Sequence, residues 1–166
     1  MKGRRGSTLI EFALTGLPLI FLSISIFECS IAMLEYVSMA NAATTAARYA
    51  ANHGATCSQT PNSCTITVGN IAALIATFSW INDATLLTVS FTDNSGTSSC
   101  TLSVCETRTT TQFPAATSGA NAVGSPITIH LSYPVINPLP VFSSPNTGTA
   151  PNTYTLGANS TQVIQF

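Results

Sequence analysis

A long apolar run near the N-terminus constrains the fold of this chain more than any other feature. The run Phe12–Phe27 (FALTGLPLIFLSISIF) carries no charge, and a glutamate borders each end of it, Glu11 before and Glu28 after. A helix needs about 20 residues to cross a hydrocarbon core of ~30 Å. Residues 9–31 supply that length if the carboxylate of Glu11 lies within it, so the sequence predicts one membrane-spanning helix.

The charges around the run predict its orientation in the membrane. Three of the five basic residues, Lys2, Arg4 and Arg5, lie in a leader over residues 1–6. Positive charge stays on the cytoplasmic side of a membrane. We therefore predict a cytoplasmic N-terminus and an exported C-terminal part.

Three kinds of N-terminal segment combine a basic leader with an apolar run. A cleaved secretory signal would use Ala40-Asn41-Ala42 as its cleavage site, but the run is longer than the core of a signal peptide, and Glu28 and Glu35 precede that site. A lipoprotein signal ending at Cys29 would place Glu28 where a small residue is needed. The length of the run favours a retained single-pass anchor.

The composition argues against several classes of protein. Only 7% of the residues are charged, whereas an intrinsically disordered chain needs low hydrophobicity and high net charge. Five basic residues are too few for a nucleic-acid-binding patch. The sequence contains no GxSxG elbow, no P-loop and no HExxH motif. We therefore expect neither an enzyme nor a bound cofactor.

The helix is predicted to continue well beyond the membrane. Neither Pro nor Gly occurs from Leu19 to His53, and Gly54 is a natural C-cap. A helix over residues 7–53 would be about 70 Å long at about 1.5 Å per residue. Pro18 is expected to remove one backbone hydrogen bond and to kink the helix near Leu14.

Small and apolar residues recur along the second part of this helix at helical spacing. Such a stripe allows close helix packing, either against other subunits or against a domain of the same chain. We expect both, on opposite faces. The stripe consists of Met33, Tyr36, Val37, Ala40, Ala43, Ala47 and Ala50.

Residues 54–166 are predicted to form an exported domain that is polar through Ser, Thr and Asn. Its patterns predict a helix packed on a small antiparallel sheet, so the fold class is α+β, with the long N-terminal helix preceding the domain. The predicted elements are a helix over Val68–Ile81, strands over Thr85–Thr92 and Ser98–Val104 joined by a turn, an irregular loop over Thr107–Ser125, a strand over Pro126–Ile136, and a last strand or strand–turn–strand over Tyr154–Phe166.

The cysteines predict an oxidising compartment for the domain. Cys29 lies in the membrane segment and is expected to be a free, buried thiol. The other four follow the export signal and cluster in two pairs, so we predict disulfides Cys57–Cys64 and Cys100–Cys105 among three possible connectivities. A zinc site is not expected, because the Cys spacing is too wide and His53 is the only nearby histidine.

Glu11 is the most informative side chain of the apolar helix. A carboxylate inside a membrane helix costs about 2.5–3.5 kcal/mol on insertion scales, so it calls for a partner. Cleavage between Gly6 and Ser7 would create an α-amino group at Ser7 and make Glu11 the fifth residue of the product. The plainer interpretation is an acid at a helix start, favoured by the helix dipole.

The segment GSTLIEFAL…PLIF…FE…NAATTAARYAA resembles TadE-like pseudopilins of the tight-adherence (Flp, type IV) pilus system, strongly over residues 3–52 and weakly beyond. Ile31 stands where the family often has Arg, which removes an ion-pair partner for Glu28. The matching features are the basic leader, Gly6, Glu11-Phe12-Ala13-Leu14, Pro18, Glu28, Asn41-Ala42 and Ala47-Arg48-Tyr49-Ala50.

The resemblance implies a structural role in pilus assembly. A prepilin peptidase would cut after Gly6, and the helix would stay in the lipid of the bacterial inner membrane, with the domain in the periplasm. An inner-membrane assembly platform would then move it to other pilin and pseudopilin subunits, with Glu11 and Phe12 setting the register. Two alternatives remain: a major filament subunit with a globular head, and an uncleaved single-pass membrane protein whose exported domain binds a ligand.

Overall fold

Helix α1 (Arg5–Ala51) dominates the computed structural model, which describes residues 5–55, 65–81, 83–136 and 153–165. Contacts divide the chain into two units, a first one up to Leu34 and a second one from Glu35 onward. The remaining elements are α2 (Val68–Phe78), β1 (Thr88–Asp93), β2 (Gly96–Thr101), α3 (Leu102–Glu106), a 3₁₀ turn at Thr117–Gly119, β3 (Pro126–Ile136) and β4 (Thr153–Val163). The α+β fold class is thus confirmed.

In the first unit, α1 keeps its polar side chains bonded to its own backbone. The hydroxyl of Thr15 donates to the carbonyl oxygen of Glu11 at 2.8 Å. Ser23, Ser25 and Ser30 bond in the same way to the carbonyls four residues before them, each at 2.8 Å. In hydrocarbon every polar group must be satisfied internally, so this arrangement suits a membrane helix. Pro18 lies inside α1 without ending it.

In the second unit, the four strands form one antiparallel sheet with the order β2-β1-β3-β4. Side chains alternate between the two faces of a sheet. One face is buried and carries apolar residues of β1, β3 and β4, while the other is rich in Ser and Thr. The buried residues are Val89, Phe91, Ile127, Ile129, Leu131, Tyr133 and Ala158.

Two helical segments complete the core above this face of the sheet. The Ala-rich end of α1 buries small side chains, so that the helix can approach its neighbours closely, and α2 adds Ile71 and Ile75. Thr67 caps α2, because its side chain accepts from the backbone N–H of Asn70 while the side chain of Asn70 accepts from the backbone N–H of Thr67. The buried residues of α1 are Met39, Ala42, Ala43, Ala46, Ala47, Ala50 and Ala51.

The α1 stripe predicted from the sequence is therefore divided. Ala43, Ala47 and Ala50 are covered by the domain of the same chain, whereas Met33 and Tyr36 are exposed. Packing against the chain's own domain is confirmed for the alanines. Packing of the opposite face against other subunits stays a prediction.

The predicted return strand Ser98–Val104 is only partly correct. Strand β2 ends at Thr101, and the chain turns into α3, where Leu102 and Cys105 are buried. A continued strand would alternate its side chains between two faces, whereas the helical turn places Leu102 and Cys105 in the core together.

Other boundaries also differ in detail. Helix α2 ends at Phe78, because the C-cap Ser79 is extended, and β1 begins at Thr88. The last element is a single strand, β4. Pro134 lies within β3, but beyond Ser132, the last residue that pairs with β1. Its missing N–H therefore disrupts no pairing with β1.

Candidate functional site

The predicted processing junction lies in the first turn of α1. The helix begins at Arg5, so Gly6 and Ser7 are both helical. Lys2 and Arg4 of the basic leader lie outside the described residues. In a helix, Ser7 and Glu11 are separated by four residues and share one face. Both residues of the predicted junction thus lie in the same helix as Glu11.

No other described part of the chain covers the side chains of Glu11 and Phe12. The side chain of Glu11 is exposed, and Phe12 is 75% exposed. The ring of Phe12 lies over Gly16, where an added Cβ would stand 3.9 Å from the ring. Sequence reasoning did not single out Gly16, although a Gly four residues after an aromatic is the signal that could have identified it.

The apolar surface of α1 in the first unit is uncovered on all sides. Its large side chains follow one another around the helix, and none of them is buried. By length and composition this is the one helix among the described residues that could cross a membrane. The exposed residues are Ile10, Phe12, Leu14, Leu17, Leu19, Ile20, Phe21, Leu22, Ile24, Ile26, Phe27, Ile31, Met33 and Leu34.

Glu28 and Cys29 lie near the end of this surface. Glu28 is half-buried, and Ile31, three residues later, is exposed and apolar. The residue one turn after Glu28 therefore supplies no cation. Cys29 is a free thiol, as predicted, but the prediction that it is buried is wrong: no other part of the described chain covers this segment of α1, and the thiol is exposed.

A disulfide fixes the sheet to α3 in the second unit. Cys100 at the end of β2 is bonded to Cys105 in α3, with their Cα atoms 5.5 Å apart. The predicted Cys100–Cys105 pairing is confirmed. The predicted pairing of Cys57 with Cys64 lies outside the described residues.

The ionisable groups of the second unit include one unusual glutamate. Oε2 of Glu35 is buried without a hydrogen-bond partner, and burial raises the pKa of this carboxyl. The pKa of Tyr133 is raised by burial and by the charges of Glu35 and Asp83. Hydrogen bonds from Thr85 lower the pKa of Asp83. Glu35 and Asp83 therefore lie at the same end of the domain as Tyr133.

One cavity of the second unit is smaller than a typical small-molecule site. No three His, Cys, Asp or Glu side chains in the described part of the chain come together as a metal site. A half-open cavity of about 190 Å³ lies between Ala55, Ile66 and Phe113. Small-molecule sites usually measure about 300–1,000 Å³. His53 borders this cavity and bonds through Nδ1 to the carbonyl oxygen of Tyr49 at 2.7 Å.

Comparison with known proteins bears on α1 alone. No curated protein and no solved structure matches the chain. A model of the TadE-like protein family matches residues 6–48. The match begins at Gly6, and it covers Glu11, Phe12 and Glu28. The resemblance seen in the sequence is confirmed: residues 6–48 are similar to the TadE-like protein family.

Proposed function

We propose that this chain is a pilin-like minor pseudopilin that takes part in assembling a tight-adherence type IV pilus. The TadE-like match supports this role. One observation carries it: the first part of α1 is apolar on every side and uncovered, although the second unit has a buried core of its own. Such a helix needs lipid before assembly and the helices of neighbouring subunits after it.

The processing step is the first part of this proposal. A prepilin peptidase cuts between Gly6 and Ser7, removes the basic leader and leaves a free amine on Ser7. Mass spectrometry of the chain from cells that contain the peptidase is expected to give a product starting at Ser7. Gly6→Leu is expected to block the cut, whereas Gly3→Leu, a matched change in the same leader, leaves it intact. A mature chain that keeps residues 1–6 would instead favour the uncleaved single-pass protein.

Glu11 is the register residue of the proposed subunit. In a helix the side chains tilt toward the N-terminus, so the carboxylate of Glu11 reaches back toward the amine of Ser7 in the same or an adjacent subunit. Pairing offsets the cost of both charges in a low-dielectric environment. Phe12 lies next to the acid and packs against a neighbouring helix.

Replacement of Glu11 tests this role. Glu11→Ala and Glu11→Gln are expected to insert normally into the membrane but to impair piliation, measured by electron microscopy and by the pilin content of sheared filaments. Thr15→Ala is the matched control, because its hydroxyl bonds only within α1. Normal piliation in Glu11→Ala would refute the register role. The abundance of this chain in the sheared filaments separates a minor subunit from a major one.

The proposed location follows from the same helix. The chain crosses the bacterial inner membrane once with its N-terminus in the cytoplasm, and the second unit lies in the periplasm. Its partners are the prepilin peptidase, the inner-membrane assembly platform and other pilin and pseudopilin subunits. An oxidising periplasm suits the Cys100–Cys105 disulfide. Labelling of an added cysteine from outside the inner membrane measures this topology.

A further inference from the structure

The two ends of the second unit differ in the kind of side chain they expose. The predicted membrane span ends at residue 31, and Ser38 lies seven residues after it. We therefore call the end of the second unit that contains Ser38 the proximal end. The end that contains Ala51 is the distal end. Thirteen residues separate Ser38 from Ala51 along α1, which corresponds to about 20 Å.

Hydrogen bonds assign the other elements to these ends. The backbone N–H of Trp80 donates to Oγ of Ser38 at 2.6 Å, which fixes the segment after α2 at the proximal end. At the distal end, the N–H of Gln165 donates to the carbonyl oxygen of Ala51 at 3.1 Å. The N–H of Gly124 donates to the carbonyl oxygen of Ile164 at 2.9 Å, so Gly124 lies at the distal end as well.

Strand β3 connects the two ends. Its first residues follow the Gly124 loop at the distal end, and it runs toward Tyr133. Tyr133 is seven residues after Pro126, about 23 Å along an extended strand, and so lies at the proximal end. Tyr154 pairs with Val135, two residues beyond Tyr133, and so belongs to the proximal end as well.

Exposed aromatic side chains are concentrated at the proximal end. Of the exposed aromatic residues described in the second unit, Tyr36, Phe78, Trp80 and Tyr154 lie there, and Trp80 is 71% exposed. Tyr49 is the exception, and its ring packs against His53 at a centroid distance of 4.5 Å. An aromatic cluster that the domain does not use in its own core calls for another apolar surface.

The chemistry of this cluster matches the headgroup layer of a bilayer. Trp and Tyr are enriched there, because their rings are apolar and carry one polar group. The chain around Trp80 also has paired backbone donors, since the N–H of Ser79 bonds to the carbonyl oxygen of Ile75 at 2.8 Å. Pairing of these donors lowers the cost of bringing this segment close to lipid.

We propose that the proximal end of the second unit lies in the headgroup layer of the membrane that α1 crosses, with Trp80 as its main lipid contact. This inference rests on the proposed single-pass membrane function. It adds a second membrane contact, made by the exported domain. The contact holds the domain at the membrane surface until assembly withdraws α1 from the bilayer.

Trp80 is the only tryptophan of the chain, so its fluorescence reports this contact directly. The full chain is reconstituted in phosphatidylcholine vesicles that contain lipids brominated at shallow or deep positions of the acyl chain. We expect emission at a shorter wavelength than for exposed tryptophan, stronger quenching by shallow than by deep bromines, and protection from aqueous iodide.

The control probe carries Trp80→Phe together with Val123→Trp. Val123 is also exposed and apolar, at 54%, but it lies beside Gly124 at the distal end. This probe is expected to be quenched by iodide and not by bromolipid. If both probes are quenched equally by iodide in chains that float with the vesicles, the proposed contact of Trp80 with lipid is wrong, while the proposed membrane function stands. A chain that does not float would refute the membrane function as well.

Two further outcomes overturn the lipid contact in favour of other surfaces. If the shift of Trp80 emission to shorter wavelength grows with protein concentration and bromolipid does not quench it, a second copy of the chain covers Trp80. Protection that requires phosphatidylglycerol and disappears in high salt would show electrostatic docking. Neither is expected, because Glu35 and Asp83, the charged groups assigned to this end, are both acids.

Discussion

The two parts of α1 show how one helix can satisfy opposite requirements. Between Ile10 and Leu34 the large apolar side chains are exposed; between Met39 and Ala51 the buried side chains are one methionine and six alanines. The more hydrophobic part is thus the one that no domain covers. Most of the buried residues of α1 are alanines, and small residues let neighbouring segments approach the helix axis closely. The large residues remain available for lipid and for other subunits.

The largest expected effect comes from placing a charge in each part. Ala46 is fully buried, so Ala46→Asp leaves an unpaired charge in the core and is expected to cost several kcal/mol, enough to unfold the domain. Near-ultraviolet circular dichroism and protease resistance of the full chain in detergent measure this.

The matched change in the first part is Leu22→Asp. Leu22 is exposed, so the domain is expected to stay folded, while insertion into the membrane weakens by about 2.5–3.5 kcal/mol. Flotation with vesicles measures the insertion. If both variants unfold the domain to the same extent, the contrast between the two parts of α1 is wrong.

The cysteines give an intermediate effect. Removal of the Cys100–Cys105 bond by Cys100→Ser with Cys105→Ser is expected to cost about 2 kcal/mol, since the closed loop is short. Cys29→Ser in the first part is the control and should leave denaturant unfolding of the domain unchanged. A loss of stability in Cys29→Ser would mean that the thiol makes a contact within the folded chain.

The smallest effect concerns Glu35, the first residue of the second unit. Its pKa is raised in the folded state, so the charged form opposes folding. Glu35→Gln is expected to stabilise the domain at neutral pH by at most about 1 kcal/mol, because much of the side chain reaches solvent. Thr67→Ala, which removes the cap of α2, is a reference for a change of about 1 kcal/mol in the opposite direction.

The pH dependence of this gain has a definite sign. The wild-type chain loses stability relative to Glu35→Gln as the pH rises above 4.5, the ordinary pKa of the group, and the loss is complete above the raised pKa. Below pH 4.5 the wild-type chain and Glu35→Gln should have similar free energies of unfolding.

Local patterns were sufficient for the helices and most strands. The uninterrupted run after Leu19 predicted α1, and Pro126–Ile136 was predicted to the residue. The return strand after the turn was wrong beyond Thr101, because Leu102 and Cys105 are drawn together into the core by partners distant in the sequence. The contact of the Phe12 ring with Gly16 was missed, although their spacing of four residues in a helix could have indicated it.

The sequence by itself determined that the chain has a basic leader, an apolar helix with Glu11 near its start, and an α+β domain, since charge and periodicity are local properties. Only the tertiary structure decided which part of α1 is covered. It also placed Trp80 beside Ser38, although these residues are far apart in the sequence. The reason is physical: a hydrophobic pattern specifies which residues avoid water, but the packing of distant segments decides which of them the chain can bury itself.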